Sequence, residues 1–90
     1  MIITKALILD KLLAYLNQDI SLPDLVDWAE DAMNEGELDE QNYETLRDII
    51  ARLGLADVRQ FGLSWTDCAD FLKQLGYEAR VEVVPIGPNP

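Results

Sequence analysis

The segment SLPDLVDWAEDAMNEG, Ser21 to Gly36, is written in helix grammar from end to end. Ser21 is a favoured N-cap residue, and Pro23 sits in the first turn, where its missing N–H does no harm. Asp24 stands three residues after the cap and completes a short-armed capping box. Leu22, Leu25, Val26, Ala29, Ala32 and Met33 then recur at helical spacing on one face, and Gly36 is the stop. One amphipathic helix cannot bury its own stripe, so the chain on either side must supply the rest of the core.

Upstream, Lys5 to Gln18 are apolar nearly all round, with Asp10, Lys11, Asn17 and Gln18 along one stripe; this predicts a largely buried central helix. Downstream, Asp39 is placed to cap a third helix with the core stripe Tyr43, Leu46, Ile49, Ile50 and Leu53, stopped by Gly54. LADVRQFGL, 55–63, has room for one short helical turn. Ser64 with Asp67 repeats the capping arrangement, and Trp65, Cys68, Ala69, Leu72 and Leu75 make a fourth stripe closed by Gly76. The pattern changes in YEARVEVVP, 77–85, where Tyr77, Ala79, Val81 and Val83 alternate with Glu78, Arg80 and Glu82. Period two with β-branched residues predicts a strand ended by Pro85, and Met1 to Thr4 could pair with it inside the chain. The expected fold is mainly α: a compact bundle of about four helices with a short C-terminal β-strand, one domain over 1–85 and a flexible tail over 86–90.

The 90 residues carry 7 basic and 17 acidic side chains, a formal charge of −10. From Asp19 to Asp48 eleven carboxylates stand against Arg47 alone, which accounts for the whole net charge; the remaining residues balance. Such a field repels phosphate backbones and anionic lipid, so nucleic acid and membranes are poor partners and a basic protein surface is a good one. Lys5, Asp10 and Lys11 break up the apolar start too early for a signal peptide, and no stretch reaches the ~18 apolar residues of a membrane span. With a single cysteine, Cys68, no internal disulfide can form. A cytoplasmic protein is expected.

The residues test poorly for chemistry. Aligning Gly36 with the glycine of a calcium-binding EF-hand loop puts Met33 and Asn42 at positions that need hard oxygen ligands, so no metal site is expected there. The chain has no histidine and one cysteine, which leaves neither a zinc ligand set nor a base to activate Cys68; that thiol falls on an apolar stripe and is expected in the core. The carboxylates lie on highly charged faces where nothing desolvates them, so acid–base catalysis has no platform. LRDIIARLGLADVRQF, 46–61, has the outline of a helix-turn-helix, but its second element brings only Arg59 as a cation. No enzyme activity and no cofactor are expected.

LVDWAEDAMNEG, 25–36, together with LGLADVRQFGL, 53–63, resembles a family of small, acidic bacterial proteins of unknown function. The resemblance spans most of the chain and includes no active-site motif, so it implies no activity. The residues themselves point to a non-enzymatic protein-interaction module whose acidic face binds a basic partner, as an immunity-like inhibitor neutralises a basic toxin. Asp27, Trp28, Glu30, Asp31, Glu35, Glu37, Asp39 and Glu40 are the candidate contact residues. Trp28 at the border of that face reads either as an interface anchor or as the rim of the core, whereas Trp65 is in phase with a core stripe. Two other readings stand beside this one: a structural subunit that forms homodimers through 77–84, with the charge serving solubility, and a DNA-mimic inhibitor.

Overall fold

In the computed structural model, which describes residues 1–58 and 62–87, Ser21 to Gly36 fold as read: helix α2 spans Leu22–Glu35 between an N-cap Ser21 and a C-cap Gly36. Both halves of the capping box form. Ser21 Oγ accepts from the Asp24 N–H at 3.2 Å, and an Asp24 carboxylate oxygen accepts from the Ser21 N–H at 3.3 Å. Leu25, Ala29 and Ala32 are fully or almost fully buried, and α2 packs against two other helices, α1 (Lys5–Leu16) and α3 (Tyr43–Leu53). The fourth helix, α4 (Trp65–Gln74), carries a second complete capping box on Ser64 and Asp67.

Two short strands tie the first half of the fold together. β1 (Ile2–Ile3) and β2 (Glu37–Leu38) run parallel with Ile2 opposite Glu37 and Ile3 opposite Leu38. The Glu37 N–H donates to the Met1 carbonyl at 2.9 Å and the Asp39 N–H to the Ile3 carbonyl at 3.0 Å. The Ile3 side chain is thereby driven into the core beside Ile8 and Leu12 of α1 and Leu46, Ile49, Ile50 and Leu53 of α3. Four helices among the described residues and a mainly α fold agree with the expectation; the position of the strands does not.

No strand forms over 77–84. A strand exists only with a ladder partner, and β1, the candidate inside the chain, pairs with β2 and not with this segment. The first helix is shorter and less buried than expected: it ends at Leu16, only Ile8 and Leu12 are fully enclosed, and Leu13 is 41% exposed. Its apolar far side is left facing outward because the small bundle has too few helices to surround it. Asp39 does not cap α3. Its carboxylate accepts from the Gln41 N–H at 3.1 Å in a tight turn, and the N-cap position belongs to Asn42, whose φ of 71° is left-handed. Three stripe residues also miss the core. Met33, Tyr43 and Trp65 are 52%, 48% and 45% exposed, each in phase with its stripe but close to a helix end that overhangs the core. Phe71 takes up the burial on α4. Of the short turn expected in 55–63, the N–H groups of Leu55, Ala56 and Val58 close i→i+3 turns and Arg59 to Phe61 lie outside the described residues; so do Pro88 to Pro90 of the tail. No helix among the described residues is long and apolar enough to cross a membrane.

Candidate functional site

The inward spacing of Leu25, Ala29 and Ala32 turns Asp27, Glu30, Asp31 and Glu35 outward on α2, since residues three and four apart share a face. After Gly36 the strand period takes over, so Glu37 points to solvent and Leu38 packs on the core. The Asp39 turn then carries Glu40 round to the start of α3. A helix face, a strand and a turn thus present the acidic residues one after another, as a band that follows the chain from α2 to the start of α3. Asp27, Glu30, Asp31, Glu35, Glu37 and Glu40 are exposed and Asp39 is half-buried. None of them pairs with a cation among the described residues. The ion pairs there are Arg47–Asp48, Arg52–Asp67 and Arg80–Glu78, at 3.2, 3.5 and 3.3 Å.

Trp28 stands apart from this band. It is half-buried against the core on the side of α1, where Lys11 Nζ lies 5.7 Å from the ring centroid. Glu30 lies on the opposite flank of α2, near Gly54 at the end of α3. The structure therefore exposes the candidate carboxylates along α2, β2 and the turn, brings Glu37 and Glu40 to one groove, and places Trp28 at the rim of the core.

The apolar component of the band comes from residues that stripe counting assigned to the core. Met33 from the last turn of α2 and Tyr43 from the first turn of α3 line a shallow groove of ≈ 520 Å³ with Leu38 and Gly36 at its base. Glu37 and Glu40 stand on its rim. The Arg47 guanidinium lies 6.0 Å from the Tyr43 ring centroid, within the range of cation–π attraction. The sequence signal for this groove was the position of both residues at helix termini flanking the acidic turn, where a stripe runs past the core it serves.

The remaining titratable features are structural. Desolvation of the buried Cys68 thiol, reinforced by the nearby Asp67 carboxylate, pushes it up to about 11, far from a reactive thiolate. Asp67 is held below the usual carboxylate range, chiefly by the Ser64 backbone N–H and the Ser64 hydroxyl and in smaller part by Arg52. The segment tested against a calcium loop, 31–42, is helix, strand and turn in succession, and no group of three or more metal-ligating side chains converges among the described residues. Comparison of the chain with protein-family models, with curated proteins and with solved structures finds no match.

Proposed function

We propose that the chain is a non-enzymatic interaction module whose acidic band binds a basic protein, in the manner of an immunity-like inhibitor that neutralises a basic toxin. The observation that carries this reading is the run of carboxylates from Asp27 to Glu40, exposed but for the half-buried Asp39, none of which is ion-paired among the described residues. Charge placed only for solubility works as well when dispersed, and here it is confined to one third of the chain. The groove between Met33 and Tyr43 adds a means of recognition. An arginine or lysine of the partner would lay its apolar stem on Met33 and Leu38 and bring its head group to Glu37 and Glu40. Arg47 lines the same groove and holds the Tyr43 ring face, so the partner's cation would enter on the Glu37 and Glu40 side.

The test uses the wild type and a Glu35→Lys, Glu37→Lys, Glu40→Lys variant, which spares the Asp39 carboxylate that holds the turn. Basic proteins retained by the immobilised wild type at low salt should be lost by the variant. They should also be released from the wild type as ionic strength shortens the Debye length from ~10 Å at 0.1 M to ~3 Å at 1 M. Retention of the same proteins by both, insensitive to salt, would remove the band from consideration as the binding surface.

A further inference from the structure

Beyond α4 the chain leaves the bundle as an arm. The Tyr77 N–H donates to the Leu72 carbonyl at 2.8 Å, and no backbone–backbone hydrogen bond is made by 78–87 among the described residues. Val81, Val83, Val84 and Ile86 are 71%, 88%, 65% and 99% exposed, an apolar run that a monomer has no reason to display. Alongside lies an open groove of ≈ 630 Å³. Its floor is the outward side of α1, with Leu9, Leu13 and Leu16; Trp65 and Leu72 of α4 form one wall, and the arm itself forms the other over 77–82. An uncovered apolar groove and an uncovered apolar arm are therefore adjacent.

We infer that the arm pairs with the arm of a second copy, antiparallel about a two-fold axis at Val81, so that each arm completes the cover of the other's groove. Charge singles out this face for self-association. Copies of a chain with net charge −10 repel through the acidic band, whereas α1, α4 and the arm carry four basic against five acidic side chains, so approach over them meets far less repulsion. Charge also selects the register. With the axis at Val81, Arg80 of each arm stands opposite Glu82 of the other; an axis at Arg80 would set Arg80 against Arg80 and Glu78 against Glu82. In the Val81 register Pro85 stands opposite Tyr77. If Val81 is a non-hydrogen-bonded pair, so is this one, and the missing proline N–H removes no rung from the ladder. Ala79 already packs against the core of its own copy, and the same register brings Val83 of the second copy beside it, over the Leu13 side of the groove. The alternating pattern of 77–84 then has the ladder partner that it lacks within one chain.

The register makes the test specific. A Val81→Cys variant should form a covalent dimer of twice the 10.2 kDa chain mass under mild oxidation, because the axis brings the two thiols together while Cys68 stays buried. Met33→Cys, exposed but on the acidic side, should cross-link at least about tenfold more slowly. Sedimentation equilibrium of the unmodified protein should show a monomer–dimer equilibrium, weakened about 100-fold or more by Val81→Glu with Val83→Glu. Both valines are exposed in the single chain, so circular dichroism should show the variant folded. A monomer mass at every concentration up to ~1 mM, a dimer indifferent to the glutamates, or equal cross-linking at 81 and 33 would each overturn the inference. A monomer whose arm folds over its own groove falls under the first of these outcomes.

Discussion

Gly36 and Gly76 both follow helices, and for different reasons. Gly76 has a φ of +96°, a conformation that side chains resist, and a Cβ there would meet nothing within 4 Å. Gly36 has an ordinary extended backbone, φ −82°, but a Cβ would come 2.6 Å from the Ala32 carbonyl oxygen and 2.9 Å from Cγ1 of Ile3. What Gly36 provides is close approach: it lets β1 lie against the end of α2 so that Ile3 can enter the core. The two effects predict opposite signs for Gly36→Ala. Where only backbone entropy matters, alanine for glycine stabilises by ~0.4–1 kcal/mol; here the clash should outweigh that and leave the variant ~1–3 kcal/mol less stable, read as a lower urea midpoint. A midpoint at or above that of the wild type would show that the strand pair can move aside without loss. At this scale the sequence was legible wherever a residue has one strong role, as Ser21, Ser64 and the buried Cys68 do. It was least legible for Trp65, Met33 and Tyr43, whose spacing gives the direction of a side chain but not whether the core extends far enough to meet it.

The ends of α1 and α4 are the same motif built from different residues. In α4 the Gly76 N–H reaches the Lys73 carbonyl at 3.0 Å and the Tyr77 N–H reaches the Leu72 carbonyl at 2.8 Å. In α1 the Gln18 N–H reaches the Tyr15 carbonyl at 3.0 Å and the Asp19 N–H reaches the Ala14 carbonyl at 2.8 Å. This is the Schellman closure, and it requires a left-handed residue, which is Gly76 in one case and Gln18, at φ 65°, in the other. An exposed glutamine in that conformation carries a strain of ~1–2 kcal/mol, partly offset by the entropy that a glycine would lose. Gln18→Gly should therefore raise stability by ~0.5–1 kcal/mol, and Gly76→Gln should lower it by a similar amount, both seen as shifts in melting temperature. Failure of the two substitutions to act in opposite directions would mean that the ends are not equivalent. The comparison also explains why the stop of α4 was readable and that of α1 was not. Glycine announces a left-handed residue, whereas glutamine gives no sign of one, and the helical pattern was carried two residues too far. The strand was misplaced for a related reason. Alternation in 77–84 specifies a surface suited to pairing but cannot say where the partner strand is, while two residues at 37–38 are too few to show any period at all.

At the scale of the molecule, the acidic band works against the fold that presents it. Carboxylates held together from α2 to the start of α3, with Arg47 alone among them, repel one another more when folded than when the chain is extended. Glu35→Lys, Glu37→Lys, Glu40→Lys should consequently melt at a higher temperature than the wild type, and added salt should raise the melting temperature of the wild type more than that of the variant. A variant both more stable and unable to bind would locate the selective value of the charge in binding. An unchanged melting temperature in every salt would show that the carboxylates are too well solvated to sense one another. The band was visible in the sequence because charge needs only counting. For the Met33–Tyr43 groove beside it the only sign was the place of both residues at helix ends, because the groove itself exists only once those ends and a strand have been brought together.

The parallel pairing of β1 with β2 has a mechanical side. Tension applied to the two ends of the chain enters β1 from its N-terminus and β2 from the side of α3, so it draws the paired strands past each other lengthwise. The Met1–Glu37 and Ile3–Asp39 hydrogen bonds would then bear load together, in shear, rather than opening one after the other like a zip. Helices α4 and α3 lie in series outside this clasp and can peel away turn by turn. Under stretching, the half of the chain from Met1 to Asp39 would be the last to yield.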